Sequence, residues 1–169
     1  MSEKYDSRTD TSLHIAKVGQ LLAQIRDELR NRGLGHDFSK MHSPEREVFD
    51  KVTPRLKGLT YGSDEYKASL AEMGTALDHH YAINRHHPEH WSDGVNDMTL
   101  VDVVEMFCDW CAATERHEDG DILKSIKHNE KRFKISHQLA LIMRNTALEL
   151  KMGKRPYGPQ EEETMRSSG

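Results

Sequence analysis

The stretch 63-SDEYKASLAEMGTALDHHYAIN-84 decides the fold. Tyr66, Leu70, Met73, Leu77, His80 and Asn84 recur at steps of three and four with little drift, which is the period of an α-helix. The reading is one long helix opened by Ser63, with these six residues on its inner side. The same phase separates two adjacent histidines: His80 faces inward and His79 sits beside it. A histidine and an asparagine at the end of an apolar stripe need polar company. Either they satisfy each other by a hydrogen bond, or the histidine binds a metal ion beside a polar neighbour, and the period leaves both open.

Helical signals continue on either side. Residues 1–10 read as a flexible N-terminus, and Thr11 or Ser12 then caps a helix running to about Arg32, ended by Gly33 and Gly35. Its core stripe is Val18, Leu21, Leu22, Ile25 and Leu29. His14, four residues before Val18, falls on that same side, where a histidine bonded to a carbonyl is the ordinary explanation. Ser43-Pro44-Glu45 opens a short helix with Val48, Phe49 and Val52 inward. Residues 53–62, with Pro54, Gly58 and Gly62, read as a loop.

Beyond Asn84, Pro88 stops the long helix and Asp93-Gly94 makes a turn, so His86, His87 and His90 crowd a helix end. Thr99 with Asp102 forms a capping-box variant opening a helix to about Arg116. Val101, Val104, Cys108 and Cys111 line one side of it; Asp102, Glu105 and Asp109 lie on an adjacent one. Asp109 stands deep in this helix among Cys108, Trp110 and Cys111, where a carboxylate is costly unless paired or metal-bound. A shorter helix follows with Ile122 and Ile126 and a basic run of Lys124, Lys127, His128, Lys131, Arg132 and Lys134. Such a run is usually a solvated face, and it also suits drawing a phosphate toward a nearby site. Ser136 caps a last helix with Leu139, Ile142, Met143, Thr146 and Leu150 inward. Residues 153–169 read as a disordered tail. The expected architecture is all-α: a compact single-domain bundle of five to seven helices over residues 11–152.

Composition bounds the function. The 169 residues are 36% hydrophobic and 31% charged, with a net charge of -4, a soluble globular profile without the basic excess of a DNA- or RNA-binding protein. No apolar run is long enough for a membrane span. Cys108 and Cys111 sit in an apolar helical pattern and read as reduced interior thiols, which fits the cytoplasm. The eleven histidines are the departure from an ordinary composition, and they are spread along the chain rather than massed in a tag.

Within this frame stands His36-Asp37-Phe38-Ser39-Lys40. A neighbouring imidazole and carboxylate suit zinc, manganese or iron, and Lys40 adds a fixed positive charge for an anionic substrate. In chain order the polar residues read as inward are His14, His36, Asp37, His80, His86 or His87, and Asp109. This order resembles the HD-domain superfamily of helical metal-dependent phosphohydrolases, over roughly residues 11–116. His36 to Lys40 looks like the HD-x-G-K signature of the cyclic-nucleotide and HD-GYP branches, with Ser39 in place of glycine. His86 to Gly94 is similar to their paired-histidine, Glu, Asp-Gly segment, and Cys108 to Thr114 to their metal-binding aspartate followed by small residues. Val95-Asn96-Asp97 stands where the GYP triplet belongs, so specificity for cyclic dinucleotides is not implied. The chain also looks like a small helical family common in phage genomes, which implies no activity.

The resemblance implies one or two divalent ions of zinc, manganese, iron, cobalt or nickel. His14, His36, Asp37 and Asp109 would hold the first, and Asp37 with His80 and His86 or His87 the second. Asp37, Lys40 and Glu89 would take catalytic roles, and Lys40, Asn84, Lys131 and Arg132 would meet the substrate. The expected activity is hydrolysis of a small phosphoester, a phosphomonoester or phosphodiester with a nucleotide as the leading substrate class. The alternatives are a di-iron oxygenase of the same fold and a non-catalytic metal- or nucleotide-binding protein. A homo-oligomer is left open.

Overall fold

A computed structural model describes residues 6–56, 58–59, 63–116 and 119–153. The residues read as a disordered tail, 154 onward, lie outside these, as do residues 1–5. The protein is all-α: among the described residues there are seven α-helices and no strand. Its contacts divide the chain into two compact units, residues 1–36 and 37–169.

The first unit is one helix, α1 (Arg8–Gly35), which begins before the expected cap at Thr11 or Ser12 and continues through Gly33. None of its residues is buried. Val18, Leu21, Leu22 and Ile25 are exposed, and so is His14. The expected core stripe is therefore present in the sequence but not covered, because a lone helix has no second element in its own unit to bury an apolar side against. The helix ends at His36, whose extended backbone (φ -54, ψ 126) closes its last turn.

The second unit carries α2 (Glu45–Leu56), α3 (Asp64–Ala71), α4 (Gly74–Ile83), α5 (Leu100–Glu115), α6 (Ile122–Arg132) and α7 (His137–Leu150). Short 3-10 turns lie at Phe38–Met41, Pro88–His90 and Gly94–Asp97. Helix α2 runs through Pro54, so the loop read from residue 53 starts later. The long helix read over 63–84 is two helices: the chain breaks after Ala71 and restarts at Gly74, whose φ of +43 is outside the helical range. A positive φ is open to glycine without steric penalty, so Gly74 takes the bend. The helical phase survives the break, with Met73, Ala76, His80 and Asn84 all buried.

Two packed regions result. In one, α6 packs on both α5 and α7 around Met106, Phe107, Cys111, Ile122, Ile126, Met143 and their small neighbours Ala140 and Ala147. Thr99 and Ser136 cap α5 and α7 as their positions suggest, and Asp121 caps α6. The phase of α7 differs from expectation: Ile142 and Leu150 are exposed, while Ala140, Met143 and Ala147 face the core. Small alanines there let α7 approach closely. Cys108, expected inside, is exposed; Cys111 is buried, and both are free thiols. Gly120 permits the return from α5 toward α6, since a Cβ there would lie 1.8 Å from the Thr114 carbonyl oxygen. In the other region, α2 packs on α3, α4 and the 38–41 turn, and α4 meets the 88–90 turn. Its interior sets Val52, Met73 and Ala76 beside the buried polar side chains of Glu45, His80, Asn84 and His86, and the candidate site lies there.

Candidate metal centre

Asp37 is the first residue of the second unit and leads into the 38–41 turn with left-handed backbone (φ 56, ψ 15). Asp and Asn adopt this conformation more readily than other non-glycine residues. Its carboxylate is pulled two ways. Oδ2 accepts from Lys40 Nζ at 2.6 Å, while Oδ1 lies 3.3 Å from His80 Nε2 and 3.5 Å from His86 Nε2. His80 Nε2 is in turn 2.9 Å from His87 Nε2. One donor atom from each of Asp37, His80, His86 and His87 thus lies within 4.8 Å of the others, a spacing that fits one metal ion.

The elements behind these side chains explain why they meet. The last turn of α4 delivers His80, which is 1% exposed. Asn84 ends that helix and accepts from the His87 backbone N–H, turning the chain so that His86 (2% exposed) and His87 fold back over it. Arg85 pins the bend to α5: its guanidinium donates to both oxygens of the fully buried Asp102 at 3.1 and 3.0 Å. It also lies 4.4 Å over the Trp91 ring, whose Nε1 donates to the Arg85 carbonyl. Asp102 completes the Thr99 capping box. Burial alone would raise its pKa, but Arg85 and Thr99 outweigh that and hold it at about 2.

Carboxylates back the imidazoles. His80 Nδ1 meets Glu45 Oε2 at 2.8 Å, and His86 Nδ1 lies 3.2 Å from Glu105 Oε1. Glu45 is wholly buried; burial pushes its pKa up, yet the hydrogen bonds of His79, Ser39 and His80 keep it below the ordinary value. Burial, together with the neighbouring His86 and His80, drives His87 down to about 3 against the opposing pull of Asp109 and Asp37. At neutral pH this ring is uncharged and offers a nitrogen lone pair, the form a metal requires.

The residues singled out in the sequence divide as follows. Asp37, His80, His86 and His87 come together, and both histidines of the 86–87 pair belong to the group. Asp109 is partly buried on α5, with its charge bearing on His87. His14 and His36 belong to the first unit, His36 joining directly to Asp37 along the chain. Lys40 is paired with Asp37 and lies 5.0 Å over the Phe49 ring. Asn84, read as a substrate contact, is buried with its amide nitrogen 2.8 Å from the His80 carbonyl and 2.9 Å from Ser39 Oγ, and so braces the residues around His80. Glu89, read as catalytic, and Arg132, read as a substrate contact, form an ion pair with each other at 2.8 Å. Lys131 is exposed on α6. Neither cysteine joins the group, and burial pushes the Cys111 thiol up to about 12, far from a reactive thiolate.

A family model matches residues 3–151, nearly all of the described chain. The chain belongs to this family, described as "Family of unknown function (DUF5662)". Its span takes in α1 through α7 and every member of the four-residue cluster. No curated protein and no solved structure matches the chain. Among the described residues, no helix is long and apolar enough to cross a membrane.

Proposed function

We propose that this family member is a metal-dependent phosphohydrolase of the HD-domain kind, acting on a small phosphoester with a nucleotide as the leading substrate class. The observation that carries the reading is the convergence of three imidazoles and one carboxylate oxygen within 4.8 Å. The donor set fits a divalent transition ion: nitrogen and oxygen atoms together, at least one ring held neutral by its surroundings, and carboxylates behind two of the rings. Asp37 through Oδ1, with His80, His86 and His87, would hold it. A divalent ion there supplies Lewis acidity, drawing the pKa of water toward neutrality and offsetting charge on a phosphoryl group.

The chain's own groups do the rest. Lys40 holds Asp37 Oδ2 and so leaves Oδ1 directed at the imidazoles. Its ammonium also places positive charge beside the centre, favourable to an anionic ester. The Arg85–Asp102 pair and the Trp91 stack keep His86 and His87 in register with α4. A cytoplasmic setting goes with this reading and with the two free thiols.

The test is elemental analysis of protein purified without chelator or added metal, followed by phosphate release across a panel of nucleotides. Stoichiometric zinc, manganese, iron, cobalt or nickel with metal-dependent phosphate release supports the reading. Bound iron with oxygen uptake and no phosphate release would replace it with the oxygenase alternative. Protein that binds no divalent ion under any loading condition would remove both.

A further inference from the structure

Glu45 stands outside the four converging donors, yet it is wholly buried, and its hydrogen-bond partners are two imidazoles and a hydroxyl. His79 Nδ1 lies 2.8 Å from Oε1; His80 Nδ1 and Ser39 Oγ lie 2.8 and 2.9 Å from Oε2. Donor counting fixes where the protons go. An ionised carboxylate only accepts. The two hydrogens of the Asn84 amide nitrogen go to the His80 carbonyl at 2.8 Å and Ser39 Oγ at 2.9 Å. The Ser39 hydroxyl, having accepted from Asn84, donates to Glu45.

His80 Nδ1 also lies 2.9 Å from the Asn84 amide nitrogen and 3.3 Å from Ser39 Oγ. With those hydrogens committed elsewhere, Nδ1 is itself the donor, to Glu45 Oε2. The opposite nitrogen, Nε2, then carries a lone pair toward His87 Nε2 and Asp37 Oδ1. By the same count His79 donates to Oε1. The acceptor capacity of one carboxylate is thus shared between two adjacent histidines, of which only His80 belongs to the cluster.

We infer that Glu45 is the positioning residue of this centre: it accepts from His79 and His80 together and fixes His80 in the tautomer that offers Nε2 to a divalent cation. This rests on the metal reading above. Glutamine replaces it only in part, because an amide turns its oxygen to one ring and its NH2 to the other and so does not accept from both sides as the carboxylate does. Loss of such an outer partner lowers metal affinity by about 10–100-fold. Alanine at 79 frees the glutamine oxygen for His80, so the double variant should regain what the single one loses.

The experiment pairs zinc titration of the full chain by calorimetry with 15N spectra of the histidine rings in metal-free protein. Wild type is expected to show His80 protonated at Nδ1. Glu45→Gln should lower zinc affinity by about 10–100-fold with a shifted His80 tautomer. Glu45→Gln combined with His79→Ala should recover most of that loss, whereas Glu45→Ala combined with His79→Ala should not. Circular dichroism melts establish that each variant is folded. Wild-type affinity and tautomer in Glu45→Gln, or His80 protonated at Nε2 in the wild type, overturns the inference. Zinc that fails to bind even the wild type overturns the metal reading, while the ring spectra, recorded without metal, still judge the Glu45-dependent tautomer.

Discussion

The two packed regions of the second unit bury their side chains to different ends. Around α5, α6 and α7 the interior is Met106, Phe107, Ile122, Ile126 and Met143, residues whose burial is favourable by itself. Around α2, α4 and the 84–91 bend the fully buried side chains include Glu45, His80 and His86, groups whose removal from water costs free energy unless each is paired. The first region stabilises the fold, and the second is held in place against its own desolvation. On the proposed metal reading, a bound ion would be the further partner that these donors are arranged to meet.

That contrast can be broken by experiment. The largest effect is expected from Asp37→Asn, which keeps a residue suited to left-handed backbone but removes the carboxylate. Divalent-ion affinity should fall by more than about 100-fold, beyond the usual effect of an outer partner, while the thermal midpoint of metal-free protein stays near wild type. Retention of full metal stoichiometry would end the site assignment. Met106→Ala should do the reverse, with a loss of about 2–5 kcal/mol in urea unfolding and unchanged metal affinity in the folded protein. Equal damage to both properties would mean that the two regions are not separable.

Asp102→Ala lies between them. It takes the carboxylate from the Arg85 guanidinium and removes the side-chain half of the α5 capping box while the Thr99 cap remains, so about 1.5–3 kcal/mol of stability should go, together with a smaller loss of metal affinity as His86 and His87 lose register. Unchanged hydrogen exchange over residues 84–91 would show that Arg85 does not hold the bend.

The gentlest probe is pH. His87 titrates near 3 in the folded protein and near 6.5 when exposed, so between those values the unfolded chain binds a proton that the folded one does not. Stability of metal-free protein should therefore be full above about pH 6.5 and decline as pH falls toward 3. Asp102, held at about 2 against an ordinary 3.8, adds a further loss at the acid end of that range. Urea midpoints measured at pH 7.5, 6.5 and 5.5 in wild type and His87→Phe check the first part. Parallel curves for the two proteins would remove His87 as the source.

Periodicity carried much of this architecture. The stripe ending in His80 and Asn84 separated the buried His80 from the half-buried His79 even though the helix is broken at Gly74, because the break preserves phase. Thr99 and Ser136 were legible as caps because capping chemistry is local. Glu45 was not singled out, since a carboxylate in a first helical turn has a sufficient local explanation. The signal was nonetheless there: Glu45, Val48, Phe49 and Val52 follow the i, i+3, i+4, i+7 pattern, which puts Glu45 on the inner side of α2. Partnership was harder to read. The apolar stripe of α1 is plain in sequence, but a stripe does not name what covers it, and within its own unit nothing does. The Arg132–Glu89 and Arg85–Asp102 pairs join residues 43 and 17 apart and leave no periodic trace.

The backbone at Asp37 limits how this centre can be lost. With φ at 56, the position admits glycine, asparagine or aspartate with little strain and disfavours β-branched or bulky residues. Most substitutions there would strain the 38–41 turn by about 1–2 kcal/mol as well as remove the donor atom. On the proposed metal reading, a descendant that no longer used an ion would tend to carry Asn or Gly at position 37, because those replacements remove the donor and keep the turn.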